Sequence, residues 1–477
     1  MYYLQVNTSA VNIIPGGDLA VQLVIRRGVK CTSIFTGLNT ALTGNSTCLY
    51  LNPIAPLSPI AYFYNMKPKH ILISGASIAG PVLGWWLSKY GWQVTIVEQA
   101  PNVRTGGYAV DFRGTVLKVL EKMDLLDEIR KHETRTEKVI LVNKHNKKIS
   151  SFPDGFTSGE LEIMRGDLVK VLYDKTKDNV NYIFNDSIAT LNEDRNGVQV
   201  TFKHHPPAFY DVVVGADGLH SKVRSLAFGH ERKFSSFLGI YIAIFTVPNF
   251  ADVGMNGYYY SEPGKRVGIF GAKDGKEAKA SFYFTSGPFY YDRKDIGKQK
   301  AIIRQVFENT PWQVPQLLDF MDQSDDFYFD AVSQVKMDHW SKGRIALIGD
   351  AAHCPSPLTG MGTSAAVMGA YILAGELMQQ DDHQTAFANY EAEMRGFVER
   401  CQGMADGVDW FVPTTKIKHW MSQQMWKILP YTPWKNMMIE MPTKVANSIE
   451  LKVYDAMPAS SMSPKNQERH AYQNQSY

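Results

Sequence analysis

The stretch from Ile71 to Glu98 constrains the fold more than any other part of the chain. An apolar run, Ile71-Leu72-Ile73, meets the turn Gly75-Ala76-Ser77-Ile78-Ala79-Gly80. A segment rich in Ala, Leu and Trp then reaches about Tyr90, and a second apolar run, Val94 to Val97, ends at Glu98. Strand, helix and strand over roughly thirty residues make the βαβ unit of a parallel sheet. Gly75 permits the tight turn and Gly80 lets the helix pack closely. The free N–H groups at the helix start, around Ile78 and Ala79, are placed to receive a pyrophosphate, aided by the helix dipole. The middle position, where a third glycine is usual, is Ser77. Glu98, followed by Gln99, lies 23 positions after Gly75, where an acidic residue accepts hydrogen bonds from an adenosine ribose.

Two later segments repeat a strand followed by Gly and Asp: Val212-Val213-Val214-Gly215-Ala216-Asp217-Gly218, and Ile345-Ala346-Leu347-Ile348-Gly349-Asp350. Between them, residues 235–335 alternate apolar positions (Tyr241, Ala243, Phe245; Phe282, Phe284) and read as antiparallel strands with one covered face, inserted into the first domain. A long helical stretch runs from Gly362 to about Arg400. The expected fold is therefore α/β: a Rossmann-like dinucleotide-binding domain (66–234 with 336–400), an inserted antiparallel β-sheet substrate domain (235–335) and C-terminal helices (401–455). Residues 1–65 hold Asp18 as their only acidic residue and show no helical period. They read as an extension foreign to the fold, ahead of a natural start at Met66. Residues 456–477, rich in Ser, Asn and Gln, read as a disordered tail.

The charge balance, 50 basic minus 47 acidic side chains, is +3, which gives no basis for gripping a nucleic-acid backbone. Four cysteines without short paired spacing form neither a disulfide framework nor a zinc site. No run of about 18 apolar residues suggests a spanning helix. A cytoplasmic protein, monomeric and without nucleic-acid or membrane partners, is the expectation.

The Asp217-Gly218 and Gly349-Asp350 segments resemble the DG and GD motifs of the class A flavoprotein monooxygenases, the family of para-hydroxybenzoate hydroxylase. The resemblance implies FAD as the bound cofactor. It implies that Asp350 bonds the FAD ribitol or ribose, and that Gly360 and Gly362, in the segment Pro357 to Thr363, bring a helix start to the flavin's pyrimidine edge. The closer resemblance is to the tetracycline destructase branch. It rests on Arg104-Thr105-Gly106-Gly107-Tyr108-Ala109-Val110-Asp111-Phe112-Arg113-Gly114, on Glu162-Ile163-Met164-Arg165-Gly166-Asp167-Leu168, and on Asp325-Asp326-Phe327-Tyr328-Phe329-Asp330-Ala331. By that likeness Arg165 contacts FAD, Gly107 lies near the isoalloxazine and Arg113 approaches it. The helix opening departs from the family's Gly-Gln-Gly-x-Asn: Met361 and Ser364 stand where relatives carry amides, which leaves backbone N–H contacts intact.

The likeness further implies NADPH or NADH docking transiently, O2 as co-substrate, and a C4a-hydroperoxide that oxygenates an aromatic or polyketide-like small molecule, a tetracycline among the candidates. The flavin carries that chemistry, so no catalytic side chain is assigned. His353 and Cys354 read as structural, and Asp217 as an anchor for its turn and for Arg224. Tyr258, Tyr259, Phe282 and Phe284 are candidates to line the substrate site, with half of them expected in the core. Trp410, Phe411, Trp420, Met421, Met425, Trp426 and Trp434 form a stripe that would lid a flat ligand or pack on the body. The rival readings are a flavin halogenase, whose Trp-x-Trp-x-Ile-Pro element is missing from the sequence, and a flavin-holding binder without turnover.

Overall fold

Short aliphatic runs with no polar alternation form the centre of the protein, because strands covered on both faces have no solvent side to mark. The computed structural model describes residues 69–454, apart from 105, 135, 154–158 and 273–274, and the backbone of two further strands. Those two, Leu38–Thr43 and Ser46–Leu51, pair antiparallel within a unit made of Met1–Lys67 and Pro458–Tyr477. The rest of the expected N-terminal extension and C-terminal tail lies outside the described residues.

Within the second unit, Pro68–Met457, six strands form a sheet in the order Ser341–Lys342, Ile345–Leu347, Val212–Gly215, His70–Ser74, Gln93–Val97 and Asn181–Ile183. All neighbours run parallel except the first pair. The parallel strands therefore present their carboxyl ends on one edge, where doubly wound sheets bind ligands. The helices Ala79–Lys89 and Gly362–Gln379 pack together beside this sheet. The helical stretch expected to continue to Arg400 breaks in two. Asp382 caps a new helix, His383–Gly403, by accepting from the Thr385 N–H at 3.0 Å, a contact that favours a helix start over continuation.

The second sheet has seven strands, ordered Tyr328–Val335, Ser235–Pro248, Glu277–Thr285, Lys265–Gly271, Gly257–Glu262, Val139–Val142 and Lys148–Ser151. It is wider than the segment 235–335 suggested, since Val139–Val142 joins in parallel beside Gly257–Glu262. Both faces are covered, where one was expected. Tyr241, Ala243, Phe245, Phe282 and Phe284 pack with Ile303, Phe307, Leu317 and Met321 of two helices, Ile296–Phe307 and Val314–Gln323. The alternate residues Ile240, Ile242, Ile244, Tyr259 and Tyr283 face the other way, with Val412, Trp426 and Leu429 of the C-terminal segment. No helix among the described residues is long and apolar enough to cross a membrane.

Candidate active site

The βαβ turn is built by exclusion of side chains. Gly75 has φ +109°, and a Cβ there would stand 2.5 Å from the Ala216 carbonyl oxygen. A Cβ on Gly80 would stand 2.0 Å from the Gly75 carbonyl oxygen. Only glycine lets the helix start approach the loop this closely. The helix Ala79–Lys89 has no side-chain cap at Ile78, so its first N–H groups keep their capacity for an anion. Glu98 closes the same loop, accepting from the N–H of Ala76 and of Ala100, each at 2.9 Å. Its neighbour Gln99 is exposed.

Ser77 has a partner that explains its presence. Its Oγ accepts from Arg165 Nη2 at 2.9 Å, and the backbone of Arg165 donates to the Tyr108 carbonyl at 3.0 Å. Gly107, at φ +129°, lies against the same arginine: a Cβ built there would stand 3.3 Å from the arginine's own Cβ. Two motifs far apart in sequence thus meet at the first turn. Arg113 is buried and lies 3.6 Å from Asp111, which also accepts from the Gly159 N–H at 3.0 Å and lies 3.6 Å from a Cβ built on Gly360.

The Asp217 carboxylate turns inward. It accepts from the hydroxyl of Ser221 and from the N–H groups of Lys222 at 2.8 Å and Val223 at 3.1 Å, at the start of Lys222–Ala227. The expected Asp217–Arg224 contact is not a hydrogen bond. Arg224, fully buried, donates instead to the carbonyls of Ala351 at 2.9 Å and Leu219 at 2.6 Å, joining the Asp217-Gly218 segment to the Gly349-Asp350 segment. Gly349, at φ +58°, sits where Ala79 and Ala366 converge, each 3.4 Å from a built Cβ. Burial raises the Asp350 pKa, and the nearby Arg165 opposes that shift.

The second helix start is equally bare. Ser356 (φ +93°) and Gly360 (φ +65°) bend the chain around Pro357–Thr359, and Gly362–Gln379 begins with no side-chain cap at Met361. The Met361 side chain is buried in the core, so that position offers backbone only. Thr363 is half-buried, and the Ser364 hydroxyl is buried without a protein partner. Two uncapped helices, of 11 and 18 residues, thus open at glycine-cleared turns. Such ends accept a pyrophosphate and an electron-rich ring edge, and the residues present fit FAD.

His353 and Cys354 are structural. Burial holds the His353 imidazole neutral by lowering its pKa to about 3 and raises the Cys354 thiol well above its usual range. Asp326 and Asp330 are clamps. Asp326 accepts from Thr246 N–H and Lys279 Nζ, each at 2.8 Å, and Asp330 accepts from His220 Nε2 at 2.9 Å and Tyr291 OH at 2.7 Å. Of the four proposed lining aromatics, Phe282, Phe284 and Tyr258 lie on the helix-backed face of the sheet; Tyr259 alone shares the opposite face with Tyr283. That opposite face also packs with Tyr108 and Leu358, from the two glycine turns. The C-terminal stripe divides: Trp426 is buried on this face, whereas Trp420 is 61% and Trp434 65% exposed. The sequence reading passed over Arg266, buried on the same face as Tyr259 and Tyr283. Strand parity was the signal available.

Fold and site together define a class, a protein with a doubly wound sheet whose glycine-cleared turns fit a flavin dinucleotide. The FAD binding domain family matches residues 69–402, and the chain belongs to that family. An uncharacterized protein of Mycobacterium tuberculosis is 44% identical over 70% of this chain and 92% of its own length. A flavin-dependent monooxygenase of Legionella longbeachae is 36% identical, covering 81% of this chain and 98% of its own. The crystal structure of tetracycline destructase Tet(51) superposes with a TM-score of 0.72 at 32% identity, over 81% of this chain and all of that one. The protein is an FAD-dependent monooxygenase, an oxidoreductase.

Proposed function

We propose that the protein draws electrons from NADPH or NADH and, with O2, places one oxygen atom on a flat aromatic or polyketide-like molecule, a tetracycline scaffold among the candidates. The observation that carries the reading is the pair of uncapped helix starts, Ala79 and Gly362, beside an apolar sheet face that the C-terminal segment covers. The 32% identity to tetracycline destructase Tet(51) supports the substrate class.

The residues proposed to hold FAD divide by part. Gly75, Ser77, Ile78, Ala79 and Gly80 take the pyrophosphate, with Glu98 and Gln99 toward the adenosine ribose. Arg165, Asp217, Gly218, Gly349 and Asp350 would surround the middle of the cofactor. Pro357, Gly360, Met361, Gly362 and Thr363, with Gly107 and with Arg113 behind Asp111, would face the ring. When bound, FAD supplies the redox chemistry that activates O2. The chain's own work is to orient and to exclude water: the Gly362 helix start favours negative charge on the neighbouring ring edge, and Tyr259, Tyr283 and Trp426 keep the acceptor's surroundings dry.

The test is incubation of purified protein with NADPH or NADH, O2, a tetracycline and a panel of phenols, followed by mass spectrometry. Gain of one oxygen atom by any of them, with matching nucleotide consumption, is expected. A yellow protein inert toward both nucleotides would instead favour a flavin-holding binder.

A further inference from the structure

The C-terminal segment carries an apolar surface that the rest of the fold leaves uncovered. Among the described residues thirteen large hydrophobic side chains are exposed, and nine of them fall between Trp410 and Met441. Single exposed hydrophobics are ordinary on a protein surface, whereas a concentration of them marks an interaction site. The helix Lys416–Ile428 shows how this one is organised. With about 3.6 residues per turn, Ile417, Trp420, Met421 and Ile428 share one face, and all four are exposed, from 44% at Met421 to 72% at Ile417. The opposite face holds Ser422 and Trp426, both buried, and Trp426 packs against the sheet. The helix is thus apolar on two sides, and packing on the body accounts for the inner one alone. The pattern repeats after the turn Leu429–Tyr431, whose Tyr431 is exposed. In Trp434–Ala446 the positions Trp434, Met437 and Met441 face solvent, while Pro442 and Ala446 are buried.

The charges around the outer stripe say what covers it. Lys416 and Lys427 flank it on one side and Lys418 on the other, all exposed, and the helix contains no acidic residue. Its three positive charges equal the net charge of the whole chain, +3, so the remainder of the chain sums to zero. Lys418 lies 3.6 Å from Asp409; among the described residues Lys416 and Lys427 pair with no carboxylate. A second copy of the chain is a poor occupant, because a symmetric interface would set these lysines against their own counterparts with no acidic residue of the helix to meet them. An anionic bilayer surface matches each element. Trp and Met side chains enter the boundary between headgroups and acyl chains, and the flanking lysines lay their stems along that boundary and reach the phosphates. A helix that lies on a membrane needs neither the length nor the uniform apolarity of one that spans it, which is why the lack of a spanning run led to the expectation of no membrane partner.

We infer that the outer face of Lys416–Ile428, with Tyr431 and Trp434 beyond it, docks the protein reversibly on an anionic lipid surface. None of these residues is among those proposed to hold FAD, so the inference stands apart from the reading of the reaction.

Co-sedimentation of the full-length, FAD-loaded protein with two kinds of vesicle tests this: phosphatidylcholine alone, and phosphatidylcholine mixed equally with phosphatidylglycerol. At low salt the mixed vesicles are expected to bind the protein at least about tenfold more tightly, since each lysine near an anionic surface contributes about fivefold, and salt at about 1 M should remove most of that preference. Substitutions at these exposed positions should leave the flavin content unchanged. Trp420→Ser should weaken binding to the mixed vesicles by about tenfold, and Lys416→Glu combined with Lys427→Glu should abolish the preference between the two compositions. No binding to the mixed vesicles at low salt, equal binding to both compositions, or undiminished binding by flavin-loaded Trp420→Ser overturns the inference. So does a native dimer in lipid-free ultracentrifugation that Trp420→Ser converts to monomer, which would show a second copy covering the face. The native comparison decides even if a variant does not fold.

Discussion

The two faces of the seven-stranded sheet are made by the same strands and differ by one residue of register. On the helix-backed face, aromatic rings fill the space. Phe245 and Phe282 stack at 5.6 Å, and Phe307 meets Phe282 edge-on at 4.9 Å. On the other face the aliphatic residues Ile240, Ile242 and Ile244 share space with two buried phenols and a buried guanidinium. The helix-backed face also buries a phenol, Tyr241, but its hydroxyl accepts from the Phe289 N–H at 3.0 Å, as a buried polar atom must be matched. Alternation marked one face as covered, and the structure covers both. The buried guanidinium, whose Nη1 has no protein partner, is the mark by which the opposite face is proposed as the working one.

The comparison can be broken most sharply from outside the sheet. Gly80→Val, whose side chain would collide with the Gly75 carbonyl, should empty the FAD site entirely while leaving both sheet faces folded, as read by flavin released on denaturation and by circular dichroism. Next in size is Phe282→Ala on the supporting face. It is expected to lower stability by about 3–5 kcal/mol in chemical denaturation, with the flavin content of the folded fraction unchanged. Its neighbour Tyr283→Phe, on the working face, should change stability by about 1 kcal/mol or less, yet reduce the fraction of NAD(P)H consumed that yields oxygenated product. Equal behaviour of the two variants in both assays would erase the distinction between the faces.

The smallest effect concerns the link between the sheets. His220 bridges Glu231 and Asp330, at 2.9 Å to each. The hydrogen bonds and charge of Asp330 and Glu231 outweigh desolvation and raise its pKa to about 9 from 6.5. A raised folded-state pKa means that this stabilisation is fully present below about pH 6.5 and is lost as pH rises toward 9. The denaturation midpoint of the native protein should therefore fall across that window, and that of His220→Gln should fall less.

The βαβ turn was legible because its glycines are dictated by clearance: where a Cβ would come within 2.0 to 2.5 Å of a carbonyl oxygen, few other residues are possible, and spacing then carries the rest. The same holds for Gly349, wedged between two helices. The sheet was only half legible. Its strands followed from alternation, but Val139–Val142 enters through a parallel pairing with a strand more than a hundred positions later, which no local pattern reveals. The helices Ile296–Phe307 and Val314–Gln323 went unread, although Val314, Leu317, Leu318 and Met321 keep a helical period. Arg266 was missed because a charged residue in a strand reads as solvent-facing; only pairing with Ser261 and Tyr283 shows that it points inward. Ser77 looked like a departure from the fingerprint, and its reason, the bond to Arg165, lies 88 positions away.

The most direct measurement is the crystal structure of the full chain grown with FAD and a flat polyketide-like ligand such as a tetracycline. The expected density puts the pyrophosphate at the start of Ala79–Lys89, the flavin ring at the start of Gly362–Gln379, and the ligand on the Tyr283 face of the sheet. A ligand seated on the Phe282 face, or a flavin ring remote from Gly362, would contradict the assignment of the working face.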